Sequence, residues 1–323
     1  MRTAVTSGSL EQAPVLANKR TTFRKMWKFR TLLLMCLPAI LFFIVMSYLP
    51  MPGLYLAFIN YNYGSGIFGS PFVGFDNFHF LVTSGALWKL TFNTIAYNLA
   101  FILIGNTLQI GVAILLNELR KKWFKKLAQS LMFLPFFISF VLVGLIAYNI
   151  LSYDFGLLNG VLKSLGSEPL KTYSNPSIWP FIIVITFLWQ STGYGSIVYF
   201  AAIMGLDAEI IEAVEIDGAN AVQRIRYIVL PWLKPTFVIL LLFSLGGVLR
   251  GNFGLFYNLV GANNTALFDA TDIIETFVFR SLMNNFNFSL GSAVSLYQSV
   301  FGFFIVITAN WLVKKVSPEN TLF

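Results

Sequence analysis

Apolar residues along this chain run in blocks rather than alternating with the period of a half-exposed element. Six blocks, at about 32–58, 92–116, 127–151, 178–204, 233–255 and 290–313, are each near the ~20 residues a helix needs to cross a bilayer. The pattern predicts an all-α integral membrane protein of about six transmembrane helices. Pro38, Pro50 and Pro52 interrupt the first block, which predicts a kink or an early end near Tyr48. Between the blocks lie polar segments of two kinds. Those near 60–90 and 256–289 are long and mix aromatics with Asn and Gly, and are candidate docking surfaces for an external protein or caps lying at the headgroup level. The 205–232 segment is short and rich in turn and cap signals.

Charge orients the pattern. Lys and Arg concentrate at 19–30, at Arg120, Lys121, Lys122, Lys125 and Lys126, in the 205–232 segment, and at Lys314 and Lys315. The alternate segments carry only Lys89, Lys163, Lys171, Arg250 and Arg280. Positive charge stays on the cytoplasmic side, so both termini are expected to be cytoplasmic. This divides the chain into a basic tail (1–30), a membrane domain (31–314) and a short C-terminal tail (315–323). Residues 1–18 read as disordered and 19–30 as an amphipathic segment against anionic lipid.

Composition narrows the function classes. The chain is 57% hydrophobic and 11% charged, far from the roughly 25% charge of a soluble domain. Its net charge of +8 is dispersed between apolar blocks, which argues against a nucleic-acid surface. Cys36 is the sole cysteine, so no intramolecular disulfide forms, and Met35 stands where a lipid-attachment motif needs a small residue. The sequence has no Gly-x-x-x-x-Gly-Lys-Ser/Thr phosphate loop, no His/Cys cluster for a metal, and no Ser-His-Asp set placed for catalysis. The lone His79 falls in an external segment.

The 205–232 segment is built to be a knob. Asp207 can cap a short helix, and Glu209 falls in its first turn. Ile210, Ile211 and Val214 form one stripe, with Glu212 and Glu215 off it. Asp217-Gly218 is a turn signal, and Asn220 with Gln223 forms a capping-box pattern for a second helix. Pro231 and Pro235 mark entry into the next span.

Glu212-Ala213, Gly218, and then Ile228, Leu230 and Pro231 stand at the spacing of the EAA loop, and the segment resembles that coupling loop of binding-protein-dependent ABC importer permeases. Val214 departs from the family's usual alanine, while Asp217-Gly218-Ala219 resembles the carbohydrate-importing, maltose-type branch. Tyr48-Leu49-Pro50-Met51-Pro52-Gly53, the run from Gly69 to Phe78, and Asn93-Thr94 are similar to permeases for polysaccharide fragments such as alginate or pectin oligosaccharides. The resemblance implies a type I ABC importer permease fold in a bacterial cytoplasmic membrane. It implies a second homologous permease, an ATPase dimer carrying ATP and Mg, an extracytoplasmic solute-binding protein and an oligosaccharide substrate. No cofactor or metal is expected in this chain, and no activity as an enzyme. The ATPase contact falls on Glu212, Ala213, Val214, Glu215, Asp217, Gly218, Ala219, Ile228, Leu230 and Pro231.

Polar groups in a span face a cavity or bond a neighbouring helix. Gln190 and Tyr194 share a face of the fourth block with Trp189 beside them, and Ser244 and Asn252 share a face of the fifth with Arg250 near its outer end. Asn98, Asn106, Tyr148, Asn149 and Gln298 are further intramembrane polar positions. The resemblance places substrate near the midplane on helices flanking the loop, which favours Trp189, Gln190, Tyr194, Ser244, Arg250 and Asn252. A secondary carrier or channel for a polar solute is the rival reading, and a membrane scaffold or sensor a third. A carrier would be expected to hold an ion-coupling carboxylate within a span, and none of the six blocks has one at its middle.

Overall fold

The computed structural model describes residues 29–261 and 263–316, and among these the regular structure is helical apart from one antiparallel bridge, Ile59 to Phe72. The tail 1–18, the basic segment up to residue 28 and residues 317–323 lie outside the described residues. Contacts divide the chain into two units, one ending at Gly53 and one starting at Leu54.

In the first unit α1 (Arg30–Phe43) runs into a π-helical turn, Ile44–Tyr48, and neither buries a residue. An apolar helix uncovered on every side is suited to lipid rather than water. The break expected near Tyr48 takes the form of this widened turn, which ends where Pro50 and Pro52 remove backbone donors.

In the second unit the order is α2 (Asp76–Thr83), α3 (Ala86–Glu118), α4 (Lys122–Phe133), α5 (Phe140–Leu151), α6 (Leu157–Ser164), α7 (Trp179–Met204), α8 (Ala208–Ile216), α9 (Ala221–Arg224), α10 (Leu230–Gly246), α11 (Phe253–Val260), α12 (Ile274–Met283) and α13 (Phe288–Val316). Among the described residues of the two units together, five helical stretches are long and apolar enough to span a membrane, or six if the bent pair around α4 and α5 is one span.

Two expected spans are corrected. The block at 127–151 is not one straight helix: α4 with its 3₁₀ extension to Phe137 meets α5 at 93°. Pro135 ends the ladder, and Ser139 in extended conformation caps α5 by accepting from the Leu142 N–H at 3.4 Å. Ser139→Ala is expected to cost about 1 kcal/mol, read as a small downward shift in thermal unfolding of the detergent-solubilised protein. The block at 233–255 also ends early. α10 stops at Gly246, and 247–252 is non-helical, so Ser244 and Asn252 do not share a helix face. A Cβ added at Gly251 would lie 2.3 Å from Ile273 Cδ1, so the buried Ile273 side chain would have to turn aside.

Helix α3 is the axis of the second unit, since it contributes to all three buried apolar clusters. Tyr97 and Phe101 join Trp179 and Ile183 of α7 and Leu255 and Phe256 of α11. Leu90 and Ile102 join Val248, Ile274 and Val294. Ala113 joins Tyr199, Ile203, Val229 and Leu233. The Asn93-Thr94 pair pins the 269–274 segment onto α3: Asn93 Nδ2 donates to the Asp272 carbonyl at 3.0 Å, and Thr94 Oγ1 accepts from the Ile274 N–H at 3.0 Å.

The segment between α10 and α13 is therefore partly helical and anchored on α3 rather than an open loop. Asp272 is 8% exposed and paired with Arg280, whose guanidinium also lies 4.0 Å from the Phe268 ring centroid. Asp269 does face outward, paired with Lys89.

Candidate functional site

Local hydrogen bonds specify the 205–232 knob. The Asp207 carboxylate accepts from the Glu209 N–H at 3.0 Å and starts α8. At the far end the Ala219 N–H donates to Val214 O at 3.2 Å and the Gly218 N–H to Glu215 O at 3.1 Å. That crossed pair is a Schellman motif, with Gly218 at the left-handed position, φ +79°. A capping box follows at once: Asn220 Oδ1 accepts from the Gln223 N–H at 2.9 Å, and Gln223 Oε1 from the Asn220 N–H at 2.8 Å. Helix α9 passes through a π-helical turn, Ile225–Val229, into α10, with Pro231 in its first turn and Pro235 inside it.

The bend thus satisfies its own backbone and needs no covering protein to hold shape. Glu212, Ala213, Glu215, Asp217 and Gly218 are exposed, with Val214 and Ala219 half-buried. Large apolar groups stand in solvent around it, Ile216 at 86% and Val222 at 72% exposed. Such a surface invites burial against a partner. Ile228 is half-buried, whereas Leu230 and Pro231 are exposed at the start of α10. Trp232 Nε1 donates to Ala202 O at 2.8 Å and ties that start to the end of α7.

The second feature is a cavity of 680 Å³ bordered by α3, α7, α10 and the 250–253 break. Four of the six residues favoured for the pathway line it, Tyr194, Ser244, Arg250 and Asn252, together with the polar positions Asn98 and Asn106. Tyr194 stacks on Phe136 at 4.3 Å and 9°. Ser244 donates to Leu240 O at 2.8 Å, and Asn252 caps α11 by accepting from the Leu255 N–H at 3.3 Å.

Gln190 and Trp189 do not line it. Gln190 is buried and its Nε2 donates to Ile138 O at 2.7 Å, holding α7 to the α4–α5 bend. Trp189 is exposed elsewhere on α7. Sequence reasoning did not pick Gln109 and Glu275 as lining residues. Gln109 lies on the α3 face of Asn98 and Asn106, a period visible in the sequence. Glu275 accepts from the Phe253 N–H at 3.2 Å. Burial pushes its carboxyl above the usual range, opposed by backbone N–H groups of Phe253 and Gly251, the Gln298 side chain and the Arg250 charge. Among the described residues no group of three or more His, Cys, Asp or Glu side chains is placed to hold a metal ion.

A profile of the family described as "Binding-protein-dependent transport system inner membrane component" matches residues 109–318. The chain belongs to this family. It is a multi-pass permease of the bacterial inner membrane. The permease is 32% identical to the polygalacturonan/rhamnogalacturonan transport system permease protein YteP of Bacillus subtilis (strain 168), over 90% of this chain and 89% of that one. It superposes with a TM-score of 0.83 on a chain of a bacterial ABC transporter involved in the import of the acidic polysaccharide alginate, at 29% identity, covering 92% of this chain and 99% of that one. A similar match, TM-score 0.81, 29% identity and 91% and 98% coverage, is to the alginate transporter in complex with its alginate pentasaccharide-bound periplasmic protein. The matched 109–318 region of the permease contains the whole knob, the Tyr194, Ser244 and Glu275 walls of the cavity, and the α10–α11 break between them.

Proposed function

We propose that this permease conducts oligosaccharides released by an extracytoplasmic solute-binding protein, and that it works beside a second homologous permease above an ATPase dimer that holds ATP and Mg. The single observation that carries the reading is the cavity: amides on α3, Tyr194 stacked with Phe136, a hydroxyl on α10 and a cation, Arg250, around 680 Å³. Sugar ring faces pack on aromatics, and hydroxyls take amide hydrogen bonds. The relatives that handle polygalacturonan, rhamnogalacturonan and alginate support this substrate class.

In this reading residues 31–314 form the membrane domain between cytoplasmic tails 1–30 and 315–323, and the 205–232 knob seats in the ATPase. ATP-driven closure pushes the knob, and the spans rock between outward- and inward-facing states.

Tyr194→Ala is expected to lower uptake of labelled trigalacturonate about tenfold at subsaturating sugar, while Trp189→Ala, outside the cavity, leaves it near wild type. Equal effects of the two substitutions would remove the cavity from the pathway. Uptake that survives ATP depletion but collapses with an uncoupler would instead return the carrier reading.

A further inference from the structure

Helix α8, which carries the exposed carboxylates of the knob, buries none of its own residues. Apolar packing therefore does not set its direction. The cluster of Ala113, Tyr199, Ile203, Val229 and Leu233 locks α3, α7 and the entry to α10 together, but stops short of α8.

One side chain bridges the gap. Arg224, the last residue of α9, points its Nη2 at both carboxylate oxygens of Glu118, at 2.9 and 2.6 Å, and its Nη1 donates to Glu215 of α8. Glu118 is the last residue of α3. The Arg224 side chain is 17% exposed and that of Glu118 32%, so water screens this contact less than an open surface pair. Two nitrogens of one planar guanidinium, Nη2 on Glu118 and Nη1 on Glu215, hold the two carboxylates at fixed positions relative to each other. Arg224 thus joins both helices of the knob to the end of the axial helix.

The consequence runs up α3. Gln109 lies about 14 Å along the helix from Glu118 at 1.5 Å per residue, and Asn106 and Asn98 continue the same wall of the cavity. A helix transmits axial and tilting displacement over that length as a rigid rod. We propose that the Arg224–Glu118 pair is a strut that passes displacement of the knob directly to α3, so that knob and α3 move as one body and the α3 wall of the cavity shifts without routing through α10. Arg224 and Glu118 are positioning residues here, acting through α8 and α3. The proposal rests on the knob being the ATPase contact.

The test uses the whole importer, with its partner permease, ATPase and binding protein, in proteoliposomes, measuring uptake of trigalacturonate and ATP hydrolysis together. Arg224→Gln and Glu118→Gln are each expected to keep ATP hydrolysis and lower uptake per ATP about tenfold, the weight of one charge-assisted pair. The double substitution should be no worse than Arg224→Gln alone, because Arg224→Gln already removes the contacts to both Glu118 and Glu215. Wild-type uptake per ATP in the single variants, or additive losses in the double, would overturn the strut.

Should the variants fail to assemble, the pair Glu118→Cys and Arg224→Cys in a Cys36→Ser background can be joined by a short bis-maleimide. Retained uptake after joining supports movement as one body. Arrest of uptake means that the two must separate during the cycle, and the proposal fails. If wild-type uptake needs no ATP, it is the coupling reading itself that falls, an outcome distinct from a normal importer whose strut variants behave as wild type.

Discussion

Replacing Gly218 by valine is expected to abolish uptake while leaving the permease inserted and folded. Gly218 sits at φ +79° as the left-handed residue of the Schellman motif that ends α8. That conformation costs an ordinary L-residue roughly 1–2 kcal/mol, and a β-branched one more. Valine would relieve the strain by opening the bend, releasing the Ala219–Val214 and Gly218–Glu215 hydrogen bonds and swinging the Asn220 capping box with them. The damage is confined to the knob, because among the described residues nothing beyond its immediate chain neighbours lies within 4 Å of a Cβ at 218, and α8 buries no residue of its own. Gly218→Asn separates two causes, since asparagine tolerates the left-handed region. Retained uptake in the asparagine variant would assign the valine loss to backbone geometry. Loss in both would assign it to a partner that approaches too closely for any side chain. Normal uptake with valine would contradict a rigid knob. Membrane levels of each variant, measured by immunoblot, should match wild type.

The knob could be read from sequence because its structure is local. Asp207, Gly218, Asn220 and Gln223 each bond backbone within a few residues, and residue type alone predicts such bonds. The membrane region was legible at the level of blocks and not of faces. In lipid the outer surface of a bundle is as apolar as its core, so periodicity does not say which face of α7 meets which neighbour. Gln190 and Tyr194 look equivalent by spacing, yet one bonds Ile138 O behind the helix and the other borders the cavity.

Breaks were harder still. Pro135 with Ser139 bends the third block, and Gly246 with Gly251 cuts the fifth, because the apolar run continues straight through both. The α12 helix was missed although Ile274, Phe277, Val278 and Ser281 recur at helical spacing and turn toward the core. The acidic residues of that segment suggested an exposed loop. In the fold, Asp272 finds Arg280 and Glu275 finds the N–H groups of the α10–α11 break.

The same closeness of helices sets the largest expected loss of stability. On α7, a Cβ added at Gly193 would lie 1.8 Å from Met132 O and 2.4 Å from Met132 C, which are main-chain atoms at the end of α4. Backbone cannot rotate aside as a side chain does, so Gly193→Ala must push α4 and its bend away from α7. That movement would strain the Gln190–Ile138 bond and part Tyr194 from Phe136. Overpacking typically costs about 1–3 kcal/mol and occasionally more, and because main-chain atoms must move here the variant should largely disappear from the folded peak in fluorescence-detected gel filtration. Two residues on, a Cβ at Gly195 meets Gln109 Cδ at 2.2 Å, a clash with the mobile end of a side chain. Gly195→Ala should therefore fold, swing Gln109 out of its place in the cavity wall and lower uptake without lowering yield. Opposite behaviour of the two alanine variants would mean that α7 packs on α3 and α4 in another register.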